Sequence, residues 1–152
     1  MAAPVRPQAV LFACGLNSVR SPMAAGIFRE LFGKTVYVGS AGVQRGDLDP
    51  FAVATMAELG IDISRHKPHT FEELAELEGL NFDLIVTLSP RAHHKALELT
   101  RTIAAEVEYW PTHDPTAAEG NREQRFAAYR EVRDELMARI RERFGRGGGV
   151  NE

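Results

Sequence analysis

The 152-residue sequence has only one cysteine. One thiol cannot close an intramolecular disulfide, so a secreted scaffold stapled by such bonds is excluded. No apolar run approaches the roughly 20 residues that a membrane-spanning helix requires. The opening MAAPVRPQAV also lacks the long apolar core of a secretory signal. No sign of charge dominates: 18 Lys and Arg stand against 21 Asp and Glu, for a formal charge of −3, and the basic residues are scattered. Nucleic acid and anionic membrane are therefore excluded as main partners. The composition is that of a globular protein, 44% hydrophobic and 26% charged, long enough to fill one core. The cytoplasm is the default compartment.

Short apolar runs alternate with amphipathic stretches, and no internal repeat interrupts them. AVLFA (Ala9 to Ala13) lacks strict polar alternation, as a strand covered on both faces does. Ser21 and Pro22 read as the N-cap and first position of a helix carrying Ala24, Ile27, Phe28, Leu31 and Phe32, with Gly33 as its stop. TVYVGSAG is a second strand, and Pro50 to Leu59 a helix ending at Gly60. Thr70 with Glu73 predicts a capping box. FDLIVTL is the third strand, Pro90 to Leu99 a helix, VEYW a short fourth strand, and Glu119 to Phe144 a long amphipathic helix. GRGGGVNE reads as a frayed end, giving a domain over 1–145 and a flexible tail over 146–152. Strands alternating with helices predict an α/β fold: one three-layer domain, a four-stranded parallel sheet with helices on both faces. Ligands of such sheets bind beyond the carboxyl ends of the strands. The loop after strand one and the THDP segment after strand four then face each other, although Cys14 and Asp114 lie 100 positions apart.

The loop itself is CGLNSVRS, Cys14 to Ser21. A tight turn between a strand end and a helix start converges backbone N–H groups on one point and adds the positive end of the helix, a setting for an anion. Arg20 contributes a planar fork able to hold two oxyanion oxygens. The same field favours Cys14 as a nucleophilic thiolate. Gly15 permits a sharp departure from the strand, and Asn17 tolerates a left-handed backbone. A lone cysteine is more often a small buried core residue; the strand before it and the Ser-Pro helix start behind it turn the reading toward catalysis or anion binding. By itself Asp114 in an Asp-Pro pair is a common turn starter. Its place opposite the cysteine loop reverses that preference. The histidines of RHKPH and AHH lack companion ligands at metal spacing and read as solvated, so no metal is expected.

VLFACGLNSVRSPMAAGIFRELFG resembles the signature of the low-molecular-weight protein tyrosine phosphatases and of the arsenate reductases that share their fold. SAG (Ser40 to Gly42), DPFAVATMAELGIDISRH, FDLIVTL and HDPTAAEG extend the resemblance over nearly the whole chain. It implies that residues 14–21 form a phosphate-binding loop of Gly15, Leu16, Asn17, Ser18, Val19, Arg20 and Ser21 behind the nucleophile Cys14. It further implies that Cys14 attacks phosphorus and carries a phosphocysteine, that Arg20 and the loop amides stabilise the transferred charge, and that Asp114 serves as acid and then base. Ser21 is implied to stabilise the thiolate, and Asn17, Ser40 and His66 to brace the loop. No cofactor is implied. Implied ligands are a phosphorylated protein or small aryl phosphate as substrate, and inorganic phosphate or another tetrahedral oxyanion in the loop.

The chain departs from that pattern in two ways. Many relatives carry a second cysteine directly before the arginine, where this chain has Val19. Tyrosine-specific members place aromatics around the cleft, where this chain has Val43, Gln44, Arg45 and Thr116. Loss of those walls weakens the grip on a phenyl ring. CGLNSVRS, SRHKPH and DPTAAEG look closer to the reductase branch, but arsenate reduction needs two electrons and the region around Ser89 supplies no resolving thiol. The leading expectation is a cysteine-dependent phosphatase. The alternatives are an arsenate reductase fed by an external thiol or glutaredoxin, and a non-catalytic module binding oxyanions or phosphoproteins.

Overall fold

The computed structural model describes residues 7–145, so the tail expected over 146–152 lies outside the described residues. Four strands, β1 (Ala9–Cys14), β2 (Tyr37–Gly42), β3 (Leu84–Thr87) and β4 (Glu106–Tyr109), form one sheet in the order β2-β1-β3-β4. All three pairings are parallel, with Val10 opposite Val38 and Leu84, and Leu84 opposite Glu106. Between them run α1 (Arg20–Phe32), α2 (Pro50–Ala57), α3 (Phe71–Leu77) and α4 (Pro90–Leu99); β4 leads through a 3₁₀ turn (Pro115–Ala117) to α5 (Arg122–Phe144). The expected α/β sheet with helices on both faces is the observed one. Among the described residues no helix is long and apolar enough to cross a membrane.

The period-two geometry of β1 divides the core. Val10, Phe12 and Cys14 face one layer with Met23, Ile27 and Phe28 of α1, Met56 of α2, and Tyr129, Val132, Leu136 and Ile140 of α5. Leu11 and Ala13 face the other, with Phe71 and Leu74 of α3 and Ala92 and Ala96 of α4. Both layers bury large side chains completely, which is why β1 reads as an uninterrupted apolar run. The chain turns one way from β1 to β2 and the other way to β3 and β4. The carboxyl end of β1 is therefore the switch point of the sheet, where a crevice opens.

Local signals placed most element ends well. Thr70 and Glu73 form the expected capping box, and α4 runs over the expected residues behind Ser89 as N-cap. The helix expected over Pro50 to Leu59 stops at Ala57, and the following turn uses Gly60 at φ 75°. The long helix begins at Arg122 rather than Glu119, because Asn121 and Gln124 make a second capping box. The start of α1 corrects the sequence reading. Its N-cap is Val19, without a side-chain cap, and Ser21 sits inside the first turn with its hydroxyl turned to the cysteine.

Candidate active site

Every carbonyl of the loop from Cys14 to Val19 is engaged by a donor outside the cradle. Val43, Gln44, Gly46 and Asp49 donate their N–H groups to the carbonyls of Cys14, Gly15, Leu16 and Ser18 at 2.9–3.2 Å. His66 Nε2 reaches the Asn17 carbonyl at 3.2 Å, and the Met23 N–H reaches that of Val19 at 3.1 Å. In a trans peptide the carbonyl and the next N–H point in opposite directions. Tying the carbonyls to residues 43–49, His66 and α1 therefore turns the N–H groups of residues 15–20 to the concave side. Those N–H groups find no acceptor among the described residues. Buried donors left this way are costly unless a ligand or water meets them. The loop is thus built for an anion.

Two backbone features permit so tight a curl. Asn17, fully buried, has φ 58°, the only positive φ at a non-glycine among the described residues. The left-handed residue is therefore Asn17; Gly15 shows no positive φ, and a Cβ there would meet nothing within 4 Å. Gly42, at the end of β2, is the glycine that sterics demand. A Cβ on it would lie 2.8 Å from Asn17 N and 2.9 Å from Leu16 C.

Cys14 Sγ lies 2.9 Å from Ser21 Oγ, and both residues are buried. Asn17 Nδ2 donates to Ser21 Oγ and to Ser40 Oγ, each at 2.9 Å. Asn17 Oδ1 accepts from the His69 N–H and from His66 Nε2, each at 3.0 Å. Both His66 contacts are to acceptor oxygens, which assigns its proton to Nε2. Burial is the main cause that holds the His66 pKa below its ordinary value, so the ring is neutral. The structure thus brings together Asn17, Ser40 and His66, the residues expected to brace the loop, with Ser21, the residue expected beside the thiolate. His69 corrects the sequence reading: expected on a solvated stretch, it donates from Nε2 to the Ser40 carbonyl at 2.6 Å and joins the same network. Its position three residues after His66 was the one available signal.

Arg20, 14% exposed, donates from Nη1 to the Thr112 carbonyl at 2.8 Å, and its Nη2 stands 4.0 Å from Asp114 Oδ2. Asp114 Oδ1 accepts from the Thr116 N–H at 3.0 Å and from its hydroxyl at 2.7 Å. Cys14, Leu16, Ser18, Val19, Arg20, Asp114 and Thr116 line one small cleft of about 40 Å³. A larger groove of about 550 Å³ between α1 and α5 is lined by Ile27, Leu31 and Leu59 and has no comparable set of donors. Asp49 is a structural member that sequence reading missed. Its N–H holds Ser18, one carboxylate oxygen caps α2 at Phe51 N, and the other accepts from Tyr129 at 2.6 Å. Burial, and then the bond to Asp49, push the Tyr129 phenol above its usual range and keep it a donor.

A family model described as low molecular weight phosphotyrosine protein phosphatase matches residues 9–144. The chain belongs to that family. It is 36% identical over 134 residues to a protein of Bacillus subtilis (strain 168) named arsenate reductase, covering 88% of this chain and 92% of that one. It is also similar to an arsenate reductase solved in a phosphate-binding state, at 27% identity and TM-score 0.67, with 89% and 95% of the two chains covered. The YwlE arginine phosphatase, solved with a phosphorylated active-site serine, matches at 25% identity and TM-score 0.71 over 88% and 91%. This chain is an enzyme of the low molecular weight phosphatase family.

Proposed function

We propose that the chain is a cysteine-dependent phosphatase of the cytoplasm that hydrolyses phosphate monoesters through a phosphocysteine. Cys14 Sγ attacks phosphorus, and the bond from phosphorus to the leaving oxygen breaks as Asp114 supplies a proton. Water then attacks the phosphocysteine, Asp114 takes its proton, the S–P bond breaks and phosphate leaves. Arg20 and the N–H groups of residues 15–20 hold the equatorial oxygens throughout. No electrons are exchanged. Substrates are a phosphorylated protein or a small aryl phosphate. Val43, Gln44, Arg45 and Thr116 stand where an aromatic wall would grip a phenyl ring, which favours a weak or altered preference for phosphotyrosine.

The observation that carries this reading is the single cysteine. Hydrolysis needs one nucleophilic sulfur, one acid and water, and the cleft offers Cys14 and Asp114 together. The reductase alternative is favoured by the curated relative named arsenate reductase. Reducing arsenate to arsenite takes two electrons, and a chain with one thiol must draw on an external thiol or glutaredoxin.

Parallel turnover assays separate the readings. Aryl phosphate, phosphoarginine and arsenate are offered in turn, the last with glutathione and glutaredoxin. Phosphate release from the aryl phosphate without added thiol supports the monoester phosphatase; release from phosphoarginine alone, a P–N substrate included because a structural relative is named an arginine phosphatase, moves the assignment to phosphoramidate hydrolysis. Thiol-dependent arsenite release with negligible phosphate release transfers the assignment to the reductase. Tight phosphate binding with no turnover of any substrate leaves the oxyanion-binding module.

A further inference from the structure

The seam between α2 and α5 carries a row of arginines whose two ends differ. Phe51 faces Phe126 and Tyr129, the Thr55 carbonyl faces Arg133, and Glu58 faces Arg130 and Arg133, so the helices run side by side in the same direction. At the far end the cations are neutralised: Arg130 pairs with Glu58 and Glu123, and Arg133 with Glu58 and Asp134. At the near end Arg122 and Arg125 are exposed and have no carboxylate partner among the described residues.

These two cations are held on a rigid platform. Phe51 and Phe126 stack with ring centroids 4.4 Å apart and planes 19° apart. The Arg122 guanidinium carbon lies 5.3 Å from the Phe51 centroid and 5.0 Å from that of Phe126, and the Arg125 carbon lies 4.6 Å from Phe51. Ring faces steady a guanidinium without using its N–H donors. The donors remain available to an anion. A protein with net charge −3 thus concentrates unpaired positive charge at one place.

That place adjoins the cleft by two routes. Ser18, which lines the cleft, is tied to Asp49, and Phe51 lies two residues beyond it against Tyr129. Thr116, on the opposite wall, leads through residues 117–121 directly into Arg122. We infer that Arg122 and Arg125 are specificity residues that recognise acidic side chains flanking the phosphorylated residue of a protein substrate. The inference rests on the phosphatase reading and narrows its substrate class. The chemistry is a carboxylate received by a guanidinium fork, at the rim and in solvent, where such pairs steer partners more than they bind them.

The test compares phosphotyrosyl peptides with acidic and with neutral flanks, beside a small aryl phosphate that does not reach the platform. The parent should prefer the acidic peptide by about three- to tenfold in kcat/KM, the scale of two exposed ion pairs. That preference should fade toward about 1 M salt, where screening acts over roughly 3 Å. The double variant Arg122→Gln/Arg125→Gln should lose the preference and keep aryl phosphate turnover, while Arg122→Lys/Arg125→Lys should restore much of it. Equal turnover of the two peptides by the parent, or a preference that survives the double Gln variant, overturns the inference. So does turnover of aryl phosphate with every peptide inert. A parent that hydrolyses no ester at all removes the phosphatase reading itself, and the silent aryl phosphate control tells that failure from the others.

Discussion

The Asn17 amide and the Ser21 hydroxyl lie 2.9 Å apart, and the direction of the proton between them is set from outside the pair. The His69 backbone N–H can only donate, and it points at Asn17 Oδ1. Nδ2 is thereby the end that faces Ser21 and Ser40. Ser21 Oγ accepts from that amide and faces Cys14 Sγ at 2.9 Å, a contact in which either atom can donate. When Cys14 attacks as a thiolate only the hydroxyl has a proton to give, and the network leaves Ser21 placed to give it.

Ser21→Ala removes the last donor of that network without touching the loop carbonyls. A hydrogen bond to a charged group contributes more than a neutral one, so kcat should fall by about 10- to 100-fold. Asn17→Gly is the companion variant, because glycine keeps the left-handed backbone and deletes only the amide. Both losses should appear in single-turnover phosphorylation of the enzyme. Unchanged rates in both variants would show that the buried network is a packing device alone.

His66 makes stability depend on pH. Burial is the leading cause of its lowered pKa; the bond to Asn17 opposes it, and His69 and Arg29 add repulsion. Above about pH 6.5, the ordinary value, folded and unfolded rings are both neutral and the contribution is whole. As pH falls below that value the unfolded chain takes its proton first, and stability is lost until the folded ring titrates as well. The Tm advantage of the parent over His66→Gln should therefore shrink on going from about pH 7 to about pH 5. Melting curves of the two proteins across that range provide the check, and a constant difference would contradict it.

Cys14→Ser should end turnover while retaining phosphate, because the N–H groups of residues 15–20 and Arg20 remain. Ligand bound only to the folded state raises Tm. The serine variant should accordingly melt higher as phosphate is added, and Arg20→Ala much less so. Loss of the phosphate effect in Cys14→Ser would mean that sulfur, rather than the backbone, organises the cradle.

How far these features could be read from sequence followed how local their causes are. The Thr70–Glu73 box, the left-handed Asn17 and the apolar run of β1 are each written within a few residues, and each was legible. Ser21 illustrates the opposite case. Ser-Pro is a sound local signal for a helix start, yet the hydroxyl is drawn inward by Cys14 and Asn17 and the helix begins two residues earlier. The ladder from residues 43–49 onto the loop carbonyls had no local trace at all. It arises because parallel pairing of β1 with β2 carries both strand ends to one level, Cys14 beside Gly42, so that the two following loops run together. His69 and Asp49 belong to the same class. Their partners are 29 and 80 residues away, and only the folded sheet brings them into reach.

Arg20→Lys tests geometry at constant charge. The guanidinium reaches the Thr112 carbonyl with one nitrogen while another faces Asp114. An ammonium can neither hold that pose nor offer two parallel bonds to an oxyanion. Most of the activity should go, with Tm close to that of the parent. A lysine variant of nearly full activity would leave Arg20 as a structural strut between α1 and the loop after β4.

Asp114 separates hydrolysis from reduction. One carboxylate oxygen is fixed by the N–H and hydroxyl of Thr116, and the other faces Arg20 across the cleft that holds Cys14. The side chain is 48% exposed, so an ester entering the cleft meets it without a lid having to open. Departing phenolate with a poor leaving-group character needs a proton as the P–O bond breaks, whereas an acidic phenol hardly does. Asp114→Asn should therefore cost about 10²- to 10⁴-fold with poor leaving groups and distinctly less with activated ones. A graded series of phenyl phosphates, run with and without added thiol, measures the contrast. Thr116→Ala, which leaves only the backbone N–H on that oxygen, should give a smaller loss with the same leaving-group trend. Reduction of arsenate makes no such demand, and its rate would follow the identity and concentration of the thiol. A leaving-group dependence identical in parent and Asp114→Asn would remove Asp114 as the acid, because loss of the proton donor must weigh most on the poorest leaving group.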